Sequence, residues 1–470
     1  MKDFAVKNAT IEKKSSIERN LTEGNVAKQL ILFALPFMLS NFIQTLYNVA
    51  DMLIVGNYVG SAGVSGVNIG GQVTFIMTNI VIGLSAGGTV VIAQYLGSGE
   101  RKSMNESIRT LITSLLVAAV VFTVVMTLLS DHILRLLQTP EESYRQARDY
   151  LNITLSGTIF IFGYNAFSAI LRGLGDSRSP LIFVTIACIV NVFLDILMVG
   201  GLGMEAAGAA LATIISQAIS MISCIVYLKK KGFEFDFKLS SFRFYKERFV
   251  MLMNVGIPIS VQNVIVNFSF LVLTAIANSM GVSASAALGI VGKYNGFAIL
   301  PAIAVGSSVS AMVAQNIGAG MVDRAKRTFH VGFTLAFIIT LVVFIITRLF
   351  PEQILSMFGD DPDMIAAGVE YLKSFSIDYI IVPAAFCLNG VISGSGHTIV
   401  SSICGILAAI GFRIPFAILL GKVMNLGMWG LGFAAPIASL GATIITFIYY
   451  ISGKWEKSNV VKNSPIDNES

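Results

Sequence analysis

The sequence predicts an all-α polytopic membrane protein of twelve transmembrane helices, arranged as two parallel six-helix repeats. Three observations carry that fold class. The chain of 470 residues is 55% hydrophobic and only 13% charged, with a mean hydropathy of +0.77, whereas soluble domains carry about 25% charged residues. Twelve apolar runs are each long enough to cross a hydrocarbon core, which takes about 20 residues of helix. Short motifs from the first half of the chain also return in the second half at a constant offset.

Taken in order, residues 1–24 are polar and mixed in charge (Lys2, Lys7, Lys13, Lys14, Arg19) and lack the apolar core of a signal peptide, so a cytoplasmic tail is expected. The first lobe, 25–228, holds spans at 27–55, 61–97, 102–130, 141–172, 178–200 and 204–228. A basic cytoplasmic linker follows at 229–245. The second lobe, 246–452, holds spans at 246–278, 282–317, 322–349, 364–394, 398–422 and 427–452, and 453–470 form a polar cytoplasmic tail. Several spans exceed what a bilayer needs, which implies tilt, kinks or protrusion. Most of the 32 basic residues cluster on one side, in the tails, the linker and the loops after spans two, four and eight. Asp131, Asp360, Asp361 and Asp363 lie on the other. The positive-inside rule then places both termini in the cytoplasm of a multi-pass cell-membrane protein.

The repeat fixes the organisation. Ala93-Gln94-Tyr95-Leu96-Gly97 returns as Ala314-Gln315-Asn316-Ile317-Gly318, Tyr150-Leu151 as Tyr371-Leu372, and Ile170-Leu171-Arg172-Gly173-Leu174-Gly175 as Val391-Ile392-Ser393-Gly394-Ser395-Gly396, all at one offset. Pro36 and Asn41 match Pro258 and Asn263. Six spans return the chain to its starting side, so both halves share one orientation about an axis along the membrane normal, with a central cavity between them.

The candidate functional residues sit in the first half. Asp51 closes the stretch Asn41 to Asp51 inside the first span. A carboxylate at membrane depth costs roughly 2.5–3.5 kcal/mol on insertion scales, so it marks a functional site. Gln44, Asn48 and Asp51 fall at spacings of four and three, on one helix face. Asn191 and Asp195 lie one turn apart in span five. The repeat places Asp51 near Leu273 and Asp195 near Phe416, so the second half lacks both acids. A purely structural role would tend to recur in both copies; ion handling in the first lobe is therefore favoured over divergent packing. Two acids in one apolar lobe invite coupled titration, in which one proton or cation neutralises the pair.

Other chemistries find little support. Cys188, Cys224, Cys387 and Cys404 all lie in apolar runs with no CxxC, which reads as core packing. His132, His330 and His397 are scattered, and no phosphate-binding G-x-x-x-x-G-K-[ST] occurs. No nucleophile and base share one depth, so the chain is not read as an enzyme. The net charge of +5 follows membrane topology and does not indicate a nucleic-acid partner.

Over 24–452 the chain resembles the multidrug and toxic-compound extrusion (MATE) family, in a branch similar to DinF-like prokaryotic members. The resemblance rests on Leu35-Pro36, Gln44 through Asp51, Ala93 to Gly97, Arg172 to Asp176, and Asn191 to Asp195, in this order and spacing. It implies two lobes forming a V, alternating access, and export of drugs and organic cations against inward H⁺ or Na⁺, with no other cofactor and a monomer as the working unit. Carried over by residue, Asp51, Asn191, Asp195 and Thr213 resemble the cation-coupling group, with Na⁺, if used, held at Asp51 and Asp195. Gln44, Tyr47, Asn48, Tyr150 and Asn165 resemble cavity residues, and Pro36 the point where the first helix bends.

The aromatic and thioether groups Phe37, Met38, Tyr47, Phe160, Phe162 and Tyr164 are further candidates for the cavity wall. The sequence departs from the pattern of sodium-coupled members in that span seven, Gly256 to Asn263, holds no acid, which favours H⁺. Lys293, Asp378 and Arg413 lie within or beside spans of the second lobe, where an ion-paired structural group is expected. The rival reading is a flippase of lipid-linked saccharides or other lipids; the scarcity of intramembrane arginine counts against it.

Overall fold

The structure, a computed structural model, describes residues 17–233, 235, 237–238 and 241–461, and all regular structure among them is helical. The expectations for the outer tails, 1–16 and 462–470, fall outside the described residues. The first set comprises α1 (Val26–Val59), α2 (Ser61–Ser98), α3 (Arg101–Leu136), α4 (Glu141–Ser156), α5 (Thr158–Gly173), α6 (Arg178–Asp195) with a π-helical extension Ile196–Gly201, and α7 (Glu205–Lys230). The second comprises α8 (Lys246–Asn278), α9 (Val282–Ala298), α10 (Leu300–Gly318), α11 (Val322–Leu349), the short α12 (Pro351–Ser356), α13 (Pro362–Phe375) and α14 (Asp378–Gly394). It ends in α15 (Thr398–Ile406), α16 (Ile414–Ile418), α17 (Gly427–Gly432) and α18 (Ala434–Ile451), with π-helical stretches Leu407–Arg413 and Leu419–Val423 on either side of α16. Among the described residues ten helical runs are long and apolar enough to span a membrane, and the two bent pairs bring the spans to 12.

Three spans expected as single helices are broken, and the breaks have local causes. The span at 141–172 bends by 49° between α4 and α5, and its repeat at 364–394 bends by 50° between α13 and α14. The span at 282–317 divides before α10, whose second residue is Pro301. Proline offers no N–H to the preceding turn. Its counterpart α2 has no proline and runs unbroken. Pro36 sits inside α1, yet the helix continues through it, with the Ser40 hydroxyl donating to the Pro36 carbonyl at 2.9 Å. The α1 start is capped by Asn25, whose side chain accepts from the Lys28 N–H at 3.0 Å.

Two cores follow the two repeats, but α1 and α8 serve both. Leu30, Phe33 and Ala34 of α1 pack with Val309, Met312 and Leu388 of the second lobe, while Val55 packs with Val199 and the α7 alanines of the first. Conversely Leu252 and Val255 of α8 join the first-lobe core, and Leu273 and Ile276 the second.

On the face that carries the basic loops the lobes meet backbone to backbone. A Cβ on Gly97 would overlap the Gln315 carbonyl, and one on Gly318 the Gln94 carbonyl; Gly87 and Gly256 abut in the same way. The Gln94 amide donates to the Gly394 carbonyl at 2.7 Å, and the Gln315 amide donates to the Gly173 carbonyl at 3.3 Å. The two glutamines also hold the segments that precede the first helix and follow the last. Gln315 Oε1 accepts from the Leu21 N–H at 3.0 Å, and Gln94 Oε1 accepts from the Ser458 hydroxyl at 2.6 Å. Leu21 packs in the second-lobe core, whereas Ile17, Val460 and Val461 are buried in the first-lobe core. Arg248 of α8 adds bonds to Glu106 at 3.1 Å and to the Tyr95 hydroxyl at 2.7 Å. Among the described residues the inter-lobe hydrogen bonds reach no further from this face than Asn79 and Asn267 at mid-depth, 3.4 Å apart.

Filling the seam should therefore prise it open. In a cysteine-free background, Ala314→Cys, fully buried at the seam, should label slowly with a water-soluble maleimide. Adding Gly97→Leu should raise that rate at least about tenfold while circular dichroism stays helical. An unchanged rate would mean that the glycine contact does not close the seam.

Candidate functional site

Asp51 lies two turns before the end of α1, and Asp195 is the last α-helical residue of α6, where the π-helical stretch begins. A π-turn re-aims the side chains beside it and is common at functional sites. Asp51 is 8% exposed and Asp195 is fully buried, and the two carboxyl groups lie close enough to interact electrostatically. Asn191, one turn earlier on α6, is buried beside them. Tyr47, one turn before Asp51, shares a hydrogen bond with the Thr213 hydroxyl of α7 at 2.9 Å. Tyr150 of α4 lies within electrostatic reach of both acids. Val55, Val199, Ala206, Ala209 and Ala210 form the apolar wall, the alanines letting α7 approach closely.

The electrostatics of this group are unbalanced. Two neighbouring carboxylates repel in a low-dielectric interior, an arrangement that favours one proton or one cation shared between them. Asp51 Oδ1, both carboxyl oxygens of Asp195 and both amide atoms of Asn191 have no hydrogen-bond partner within the protein. Leaving a buried polar atom unpaired costs about 1–3 kcal/mol. The donor set is carboxyl, amide and hydroxyl. It suits a proton or a hard monovalent ion, and no cluster of three metal-binding side chains occurs among the described residues. The chemistry of the group is that of a site for one positive charge beside an apolar wall.

Other expected site residues are placed elsewhere. Gln44 and Asn48 share the α1 stripe with Asp51 but stand exposed. Asn165 is half-buried on α5 and donates to the Ile161 carbonyl of its own helix at 2.8 Å, apart from the acids. Tyr47 belongs to the acid group and not only to the cavity wall. Phe162 and Tyr164, expected at the wall, are core: Phe162 packs on Phe122, and the Tyr164 hydroxyl donates to the Pro180 carbonyl at 3.3 Å. Phe37 lies under the Arg172 guanidinium, 5.6 Å from its ring centre.

The expected ion-paired group of Lys293, Asp378 and Arg413 does not form as a unit. Asp378 and Arg413 are buried within electrostatic reach, but Arg413 bonds the Ser269 hydroxyl at 2.8 Å and lies 4.2 Å over the Phe270 ring. Lys293 is exposed on α9, away from both. The seam glutamines were legible only as repeat markers; nothing in their spacing says that they join the lobes. A recess of about 1010 Å³ opens beside the seam, lined by Tyr95, Arg248, Asn254 and His397, at the closed face and remote from the carboxyl pair.

Two helical lobes related by an internal repeat, joined at one face and carrying a buried carboxyl pair in one lobe, define a membrane transporter and not an enzyme. Residues 36–197 and 258–419 match the MatE family, one copy in each lobe, and the chain belongs to that family. It is 30% identical over 441 residues to the probable multidrug resistance protein YpnP of Bacillus subtilis, covering 93% of this chain and 97% of that one. It is 29% identical to the probable multidrug resistance protein NorM of Thermotoga maritima, covering 93% and 94%. The fold matches a solved outward-facing multidrug resistance MATE transporter with a TM-score of 0.86 at 22% identity, over 92% of this chain and 96% of that one.

If one charge is shared by the pair, the acids act as a unit. Asp51→Asn and Asp195→Asn should each abolish most ion-driven transport, and the double variant should be little worse than either. Initial uptake rates in proteoliposomes, normalised to inserted protein, check this; multiplicative losses would mean two independent sites.

Proposed function

We propose that this protein is a secondary active multidrug efflux antiporter. It exports amphipathic compounds from the cell in exchange for H⁺, or Na⁺, by alternating access, working as a monomer in the cell membrane. The single observation that carries the reading is the burial of Asp51 and Asp195 as interacting neighbours beside an apolar wall. An ion drives transport only if it binds two conformations with different affinity. Closing apolar side chains over a bare carboxylate is costly, so occupancy of the pair biases the first lobe towards the closed arrangement. α1 transmits the bias, because its first half packs in one lobe and its second half, with Asp51, in the other. Gln44 and Asn48, on the same stripe of the helix as Asp51, then feel the change.

The basic residues of the linker, of the loop before α11 and of the C-terminal segment lie on the seam face. With both termini cytoplasmic, the closed seam is the inner gate and the arrangement is outward-open. Support for multidrug substrates comes from the named relatives, and support for H⁺ over Na⁺ from the absence of an acid in Gly256 to Asn263 of α8.

Two measurements check the reading. Adding ethidium to purified protein in weakly buffered detergent should release protons in proportion to protein, unaffected by Na⁺, and Asp51→Asn should release none; release that depends on Na⁺ removal would assign the other ion. For orientation, Lys454→Cys should be shielded from an impermeant thiol reagent in intact cells while Asp361→Cys is labelled. The reverse pattern would invert the topology and turn export into import.

A further inference from the structure

Lys293 stands on α9 opposite the side that packs into its lobe. The buried side of α9 is Ala284, Ala287, Val291 and Ala298. Lys293 is about half a turn round from these, at 100° per residue, and is exposed. Its neighbours on that side are Gly289, Gly292 and Gly296, where an added Cβ would meet nothing within 4 Å. One turn deeper, Phe297 meets Phe42 of α1 edge-on at 5.7 Å. The open side of α9 therefore faces α1, across the space between the lobes. The repeat confirms the direction: Gly71 and Gln72 of α2 are the counterparts of Gly292 and Lys293, and Gly71 is likewise open and Gln72 exposed.

Depth makes this lysine informative. It lies eleven residues from the start of α9, about 16 Å along the helix. A lysine facing lipid there would be penalised by a few kcal/mol, so the residue belongs to a wet cavity. It has no hydrogen bond or ion pair among the described residues; neither Glu370 nor Lys373 of α13, the element packed against α9, bonds it. The first-lobe acids do not neutralise it, because both are buried in their own lobe. A fixed cation in a confined cavity repels cationic ligands and attracts anionic ones more strongly than it would in bulk water.

Resting on the efflux reading, we propose that Lys293 sets substrate charge: the cavity takes amphipaths that carry an anionic group, paired with the Lys293 ammonium while the aromatic body lies against Phe42 and Phe297. Zwitterions and organic acids are thus exported in preference to simple organic cations of the same shape.

The test uses two dyes with one xanthene body, rhodamine 110, a free acid, and rhodamine 123, its methyl ester. Binding to the purified full-length protein is read by fluorescence anisotropy, and export in inverted vesicles. The acid should bind the wild type about tenfold more tightly than the ester, as a charge-assisted contact warrants. Lys293→Gln should weaken the acid about tenfold and leave the ester nearly unchanged, and Lys293→Arg should keep the preference. Equal or tighter binding of the ester by the wild type overturns the proposal while leaving efflux standing, and that ratio decides even if Lys293→Gln does not fold. Equal losses for both dyes in Lys293→Gln overturn it too. If neither dye binds or moves, the efflux reading fails and takes this one with it.

Discussion

Two polypeptide backbones can touch only where no side chain stands between them, and the lobes of this protein meet through that contact. Gly87, Gly97, Gly256 and Gly318 bring α2, α8 and α10 together at one face. The amides of Gln94 and Gln315 each reach across to a carbonyl of the opposite lobe. Everything beyond mid-depth depends on this join. With the lobes pinned at one face and unbonded beyond Asn79 and Asn267, the space between them is open towards the other face, and α1 and α9 present their free sides to it. Polar pairing at the seam also satisfies glycine carbonyls that would otherwise be buried unpaired, at a cost of about 1–3 kcal/mol each.

The lobes are alike in trace and unlike in chemistry. The first buries two acids that lack enough partners. The second has an arginine, Arg413, near the place corresponding to Asn191, held by Ser269 and the Phe270 ring with Asp378 within reach. One lobe thus buries two acids with unpartnered oxygens; the other holds a carboxyl and a guanidinium within reach of each other. The asymmetry assigns the second lobe the steadier part: framework, and through Lys293 a fixed charge in the cavity.

Much of this was legible in the residues, for reasons that also say where legibility stops. Span number and the repeat follow from length, apolarity and returning motifs, since a bilayer leaves the backbone few choices. The pairing of Asp51 with Asp195 was inferred from two acids absent from the other half, because charge at membrane depth is rarely idle. Helix breaks at Gly157 and before Pro301 were not, as each depends on the loss of one or two hydrogen bonds inside a uniformly apolar run. Azimuth was the weakest inference. Phe162 and Tyr164 carry the side chains of a cavity wall and pack as core, while Lys293 looked like part of a buried pair and faces the open space. A hydrophobic stripe tells a soluble helix which side is inside; in a bilayer both sides are apolar and the signal is lost.

The segments just outside the first and last helices are more than trailing polymer. Ile17 and Leu21, four residues apart, lie in opposite cores, and Val460 and Val461, which extend from the second lobe, are sunk in the first. Rocking the lobes apart at the seam has to draw these side chains into water, against about 0.8 kcal/mol for each buried methylene. Movement at the opposite face meets no such resistance. The tails therefore act as elastic ties that weight the resting shape towards one side of the cycle. A polar side chain in place of Ile17 or Val461 would slacken these ties, altering the conformational balance of the whole molecule without touching a helix.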